Sequence, residues 1–197
     1  MSHSITLNDE QIAALKRLED FIRSKTEKIM VLEGFAGTGK STIISKLFQQ
    51  PEYSKLNICM SATTNKAVHV LKKMGKVDNK KIDYLTIHKL LRIKRTIDTD
   101  GKQHFVTSFN ETSDSRNKKC KSIFSYNIIV IDEASMIDKN MFQNLRIISK
   151  KIQGKIIFIG DRNQLPPVNQ HISEVFACQE LPKIKLTTVM RSGSNNN

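Results

Sequence analysis

The segment that most limits what this chain can fold into is Gly34-Phe35-Ala36-Gly37-Thr38-Gly39-Lys40-Ser41. It follows an apolar run, Ile29-Met30-Val31-Leu32, and leads into a stretch free of helix breakers until Pro51. The run reads as a strand and the stretch as a helix. The glycines between them allow backbone conformations closed to other residues. A strand–loop–helix of this kind turns successive N–H groups into one concavity and aims a helix N-terminus at it, which suits a phosphate. The spacing is G-x-x-x-x-G-K-[ST] without a gap, so Lys40 can neutralise β- and γ-phosphates and the Ser41 hydroxyl can ligate Mg²⁺. The candidate nucleotide-binding residues are Gly34, Ala36, Gly37, Thr38, Gly39, Lys40 and Ser41. A chance glycine turn beside a lysine would need strand, helix and lysine to fall into register by accident.

The rest of the chain alternates strands and helices, which predicts an α/β domain with a mainly parallel sheet. Asn8 caps an opening helix with apolar positions Ile12, Leu15, Leu18 and Ile22. Asn57 to Met60 reads as a strand, Thr64 to Met74 as a helix closed by Gly75, and Asn127 to Ile131 and Lys155 to Ile159 as strands joined by a helical stretch. The alternation breaks between Arg92 and Lys121. There Asp98-Thr99-Asp100-Gly101 marks a hairpin turn, and Ser108 to Lys121 is polar and aperiodic. This segment is expected to be an insertion, 92–121, on a core formed by 1–91 and 122–192, with a flexible tail at 193–197.

Two strands end in polar groups. Ile128-Ile129-Val130-Ile131 leads into Asp132-Glu133-Ala134-Ser135, at the sheet edge where ligands bind in open parallel folds. Asp132 would hold the metal and Glu133 would polarise the attacking water. Adjacent acids after a strand are otherwise a common helix start. Ile156 to Ile159 leads into Gly160-Asp161-Arg162-Asn163-Gln164-Leu165-Pro166-Pro167, where the Gln164 amide could sense a γ-phosphate.

Charge adds a second ligand. The net charge is +13, and ten basic residues face only Asp78 and Asp83 between Thr64 and Arg95. Clustered cations gain counterion-release free energy on a phosphate backbone, so a polyanion is the expected partner of that stretch. Cys59, Cys120 and Cys178 form no CxxC pair, which argues against a zinc site or disulfide framework. The start of the chain carries no secretory pattern and no apolar run is membrane-spanning, so an intracellular protein without a membrane partner is expected.

The ordered set of motifs resembles superfamily 1 helicases. Asp132-Glu133-Ala134-Ser135 with Gly160-Asp161-x-x-Gln164-Leu165-Pro166-Pro167-Val168 is similar to their motifs II and III, most closely in the RecD-like and Dda-like 5′-to-3′ branch. Leu7-x-x-x-Gln11 resembles the Q motif, Ser61 to Ala67 motif Ia, Thr86-Ile87-His88-Lys89-Leu90-Leu91 motif Ib, and Leu186-Thr187-x-Val189-x-Arg191-Ser192 motif IV. The resemblance implies an N-terminal RecA-like motor domain of the P-loop NTPase class, with ATP and Mg²⁺ as cofactors. It implies that Gln11 reads adenine and Arg191 faces the γ-phosphate. It also implies that Thr64, Asn65, Lys66, Thr86 and His88 hold single-stranded DNA, and that the hairpin insertion is a strand-separating pin with His104, Phe105 or Phe109 as a stacking wedge. No residues match motifs V and VI, so a second RecA-like domain, in cis or trans, is expected as partner and little unwinding is expected without it. The alternatives are a nucleic-acid- or partner-binding module that keeps ATP as a structural or regulatory element, and a small nucleotide kinase, against which the Gln-Leu-Pro-Pro motif weighs.

Overall fold

The computed structural model describes residues 6–74, 82–97, 103–107 and 121–190. In chain order the elements are α1 (Asp9–Arg23), β1 (Ile29–Gly34), α2 (Lys40–Gln49), β2 (Ile58–Ala62), α3 (Asn65–Met74) and β3 (Ile82–Thr86). A short α4 (Ile87–Leu90) and the strands β4 (Ile93–Ile97) and β5 (Gln103–Thr107) come next. Then follow β6 (Ile128–Ile131), α5 (Lys139–Lys151), β7 (Lys155–Gly160), α6 (Glu174–Ala177) and β8 (Lys183–Leu186). Six strands form one parallel sheet in the order β3-β2-β6-β7-β1-β8. The expected α/β architecture, a P-loop sheet flanked by helices, is what the chain adopts.

The sheet is buried on both faces because each crossover lays a helix across it. Every residue of β1, β6 and β7 is buried. Side chains alternate across β1. Ile29 and Val31 join Ile129, Phe158 and Leu145 on one face, and Met30 and Leu32 join Leu18, Phe21, Ile43 and Leu47 on the other. Each such large side chain contributes about 1.5–3 kcal/mol by leaving water.

Helix α1 is rotated from the position its apolar stripe suggests. Ile12 is 53% exposed, and the buried residues are Gln11, Ala14, Leu18 and Phe21. Gln11 takes the inward position because its amide has partners there. Its Oε1 accepts from Asn8 N at 3.1 Å, completing a capping box, and its Nε2 donates to Thr38 O at 3.0 Å. At the far end of the sheet, lysines occupy helix C-termini, where cations are favoured. Lys28 Nζ donates to Ile152 O and Gln153 O, just past α5. Lys155 Nζ donates to Ser24 O and Glu27 O beyond α1 and lies 5.1 Å from the centroid of the Phe21 ring. Burial, more than its neighbour Lys28, pushes the Lys155 ammonium below the usual lysine range.

The hairpin is present as a separate antiparallel pair, with Ile93 opposite Thr107 and Ile97 opposite Gln103. Its expected turn and the polar stretch after Ser108 lie outside the described residues. So does Gly75, the expected stop of α3. At the start of that helix the Thr64 hydroxyl accepts from Ala67 N at 3.1 Å. Two strands, β3 and β8, complete the sheet at its edges where the sequence pattern had singled out no strand. Among the described residues no helix is long and apolar enough to cross a membrane.

Candidate active site

The C-terminal ends of β1, β6 and β7 lie side by side, with β7 between the other two. From β1 the chain enters the glycine loop. Gly37 and Gly39 have φ of 80° and 85°, which a side chain would strain. Gly34 is confined differently: a Cβ there would stand 2.7 Å from Thr38 Oγ1 and 2.9 Å from Leu186 O. Thr38 is buried and its hydroxyl donates to Phe35 O at 2.9 Å. Lys40 Nζ donates to Gly34 O at 2.7 Å and Phe35 O at 2.8 Å. A cavity of about 340 Å³ opens beside the loop, lined by Gln11, Gly37, Gly39, Lys40, Ser41 and Met190 among others. Ala36 and Ser41 are exposed on the loop.

Burial pushes the Lys40 ammonium below the usual lysine range, opposed by the charges of Asp161, Asp132 and Glu133. Burial raises the Asp132 carboxyl, opposed by the Glu133 N–H that donates to its Oδ1 at 2.9 Å and by Lys40. Burial and then the Asp132 charge raise Glu133, again opposed by Lys40. Glu133 also sits at φ 56°, ψ 43°, a left-handed conformation for a non-glycine residue. Such strain costs about 1–3 kcal/mol and clusters at functional sites. Asp132 N donates to Ser61 O at 2.8 Å, joining this corner to the end of β2.

After β7, Asp161 is buried and organises the next turn: its Oδ1 accepts from Asn163 N at 2.9 Å and its carbonyl from Gln164 N at 3.2 Å. Gln164 itself is exposed, and Pro167 is buried behind it. Arg162 Nε lies 3.5 Å from Glu33 Oε1, an ion pair between this turn and β1. Past β8, residues 187–190 close onto the loop. Met190 N donates to Gly37 O at 2.9 Å, and Glu10 accepts from Thr187 N, Thr187 Oγ1 and Thr188 N at 2.8, 2.9 and 3.0 Å. Those backbone bonds from Thr188 and Thr187 hold the Glu10 carboxyl below its usual value. Arg191 lies outside the described residues.

Of the five expected nucleic-acid contacts, Thr64, Asn65, Lys66 and His88 are exposed. Thr86 is 7% exposed, and its Oγ1 accepts from Lys89 N at 3.4 Å as the cap of α4. The side chains of His104 and Phe105, and the whole of Phe109, lie outside what is described. The sequence reading missed Glu10 and Asp161 as members of the site, and Glu33 as a buried carboxylate beside it. Only Asp161 carried a signal, its place immediately after a buried strand.

Comparison with known proteins places this geometry. A family model described as AAA domain matches residues 6–197. An uncharacterized protein of Acanthamoeba polyphaga mimivirus is 35% identical over 202 residues, covering 95% of this chain and 39% of that protein. The ATP-dependent RecD2 DNA helicase of Deinococcus radiodurans is 27% identical over 190 residues, covering 96% of this chain and 22% of the helicase. The crystal structure of Pif1 helicase from Candida albicans superposes with a TM-score of 0.60 at 21% identity, over 95% of this chain and 41% of that one. The chain thus spans roughly a fifth to two fifths of the length of these relatives.

Proposed function

Because the chain belongs to the AAA-domain family, as a motor domain of the superfamily 1, RecD- and Pif1-like kind, we propose that it binds ATP–Mg²⁺ and single-stranded DNA and serves a helicase as its ATP-hydrolysing half. The observation that carries this is the glycine loop at the end of β1, with Lys40 Nζ bound to Gly34 O and Phe35 O, on the sheet edge where β6 and β7 end at Asp132, Glu133 and Asp161.

In this reading the loop amides and Lys40 bind the β- and γ-phosphates, and Gln11 and Met190 border the base. Among the described residues no three His, Cys, Asp or Glu side chains gather as a metal cluster. A hydroxyl and one carboxylate, Ser41 and Asp132, therefore suit a hard cation that takes its other ligands from phosphate and water, as Mg²⁺ does. Bound there, Mg²⁺ would draw charge from the γ-phosphate. Glu133 accepts the proton of the attacking water, and its raised pKa brings it nearer the operating pH that a general base requires. Gln164 senses the γ-phosphate. Arg191 adds positive charge toward the γ-phosphate.

The nucleic-acid face comprises Thr64, Asn65, Lys66 and His88, with Thr86 shaping it from within. Residues 1–91 and 122–192 are the motor and 92–121 an inserted pin. A second RecA-like domain, in cis or trans, closes over the site past exposed Phe35, Leu165 and Val168. An arginine from that domain would supply roughly 10³–10⁵ in rate, as in comparable phosphoryl-transfer sites.

The test is steady-state ATP hydrolysis with and without single-stranded DNA, with Lys40→Ala and Glu133→Gln as controls. Turnover stimulated by DNA and abolished by both substitutions supports the proposal. ATP binding without turnover, even when a second motor domain is supplied, would instead make ATP a structural or regulatory ligand.

A further inference from the structure

Glu33 is a carboxylate almost removed from water, and the phosphate site described above does not use it. The residue is 7% exposed, and its Oε2 is buried without a hydrogen-bond partner among the described residues. Its Oε1 has Arg162 Nε at 3.5 Å. Burying an ionised carboxylate costs several kcal/mol, and an apolar residue of similar volume would serve stability as well or better. A role in fixing something else is therefore the economical account.

What it touches identifies that role. Glu33 is the penultimate residue of β1, and its register partners are Gly160 on β7 and Lys185 on β8. Gly160 has no side chain to cover the carboxylate, and Arg162, two residues further on, reaches back to it. The turn between Arg162 and Gln164 is stiff, because Asp161 accepts from both Asn163 N and Gln164 N. Arg162 and Gln164 are thus carried by one braced turn. The contact is also incomplete. A guanidinium matches a carboxylate best through two parallel bonds, whereas here one nitrogen meets one oxygen and the second oxygen has no partner.

We propose that the Glu33–Arg162 pair positions Gln164 for recognition of the γ-phosphate, with the pair moving from this single contact to a two-bonded one when a triphosphate is bound. Glu33 and Arg162 are positioning residues that touch no substrate. The proposal rests on the reading of Gln164 as a γ-phosphate sensor. It makes the ion pair the element that separates triphosphate from diphosphate.

The experiment measures affinities of fluorescent ADP and a slowly hydrolysed fluorescent ATP analogue for the wild type, Glu33→Gln, Arg162→Gln, Gln164→Ala and the double variant Glu33→Gln/Gln164→Ala. One hydrogen bond to a charged phosphate is worth about tenfold or more in affinity, which sets the triphosphate preference expected of the wild type. In Glu33→Gln and in Arg162→Gln the preference falls to that of Gln164→Ala, and the double variant falls no further. ADP affinity of the two pair variants stays within about twofold of wild type, whereas general damage to the loop would weaken both nucleotides. Arg162 is 41% exposed at its side chain, so if Glu33→Gln fails to fold, Arg162→Gln decides alone. A preference that survives in the pair variants but is lost in Gln164→Ala overturns the role of the pair and leaves the sensor intact. A wild type that binds both nucleotides equally overturns the sensor, and the pair with it.

Discussion

Replacing Gly39 by alanine strikes the junction on which the phosphate loop depends, and its cost follows from two separate terms. The first is local: φ is +85° there, and an L-residue in a left-handed conformation costs roughly 1–2 kcal/mol. The second is tertiary, because a Cβ on Gly39 would overlap the Gln11 amide nitrogen. Gln11 must then move, losing its bond to Thr38 O and loosening the cap of α1, which costs roughly another 1–2 kcal/mol. The total is about 2–4 kcal/mol. For a domain of this size each kcal/mol lowers Tm by about 2–4 °C, so a fall of roughly 5–15 °C is expected. The assay is thermal or urea unfolding of Gly39→Ala, Gln11→Ala and the double variant, with nucleotide affinity measured alongside. Without the Gln11 side chain the tertiary term vanishes, so Gly39→Ala should then cost only the local roughly 1–2 kcal/mol. Equal costs in the two backgrounds, within about 0.5 kcal/mol, would refute the account in which Gln11 and Gly39 are fitted to each other.

Other outcomes are open to measurement. Glu10→Gln keeps one acceptor oxygen and loses the bond from Thr188 N, so it should weaken nucleotide binding and lower Tm. The folded pKa of Glu10 lies below the usual 4.5, so its contribution is complete above that value and is lost as pH falls through the lower folded one. The Tm gap between wild type and Glu10→Gln is therefore widest near neutrality and closes in acid, and a gap constant across pH would contradict this. Lys155→Met leaves two carbonyls at the end of α1 without their donor and should cost about 1–3 kcal/mol in urea unfolding, with nucleotide affinity unchanged. Lys66→Ala should weaken single-stranded DNA binding equally for all sequences and reduce the salt slope by about 0.7. Thr86→Val should instead cost about 1 kcal/mol of stability through the lost cap and leave that slope unaltered.

The central strands could be read directly, because Ile29 to Leu32, Ile128 to Ile131 and Ile156 to Ile159 are buried on both faces and so are continuously apolar. The edge strands could not. Lys183-Ile184-Lys185-Leu186 buries only alternate residues fully, and Ile82 to Leu85 is half-buried throughout, so neither stands out from loop composition. The glycine loop and the Asp132-Glu133 pair stand out for another reason: each is a short run of consecutive residues directly after a buried strand. Gln11 shows the limit of periodicity. A glutamine whose amide is spent on a cap and on Thr38 O displaces Ile12 from the inward stripe, and hydropathy alone does not register that. Glu10 with Thr187 and Glu33 with Arg162 are partners far apart in sequence, and a single sequence without its fold does not pair them.

The sheet order has a consequence for how the chain acquires its shape. Of the six strands of the sheet β1 is made first, yet both its neighbours, β7 and β8, are made last. During synthesis β2, β3 and β6 are available to one another while the strand bearing the phosphate loop has no lateral partner. That strand waits until residues near Gly160 have left the ribosome, and parallel pairings across such separations are slow to form. The setting of the phosphate loop against its neighbours and the join between the two halves of the sheet must therefore arise in one late step. A nascent chain stopped after β6 would expose two bare edges, and truncation there should yield an aggregating species rather than a smaller folded domain.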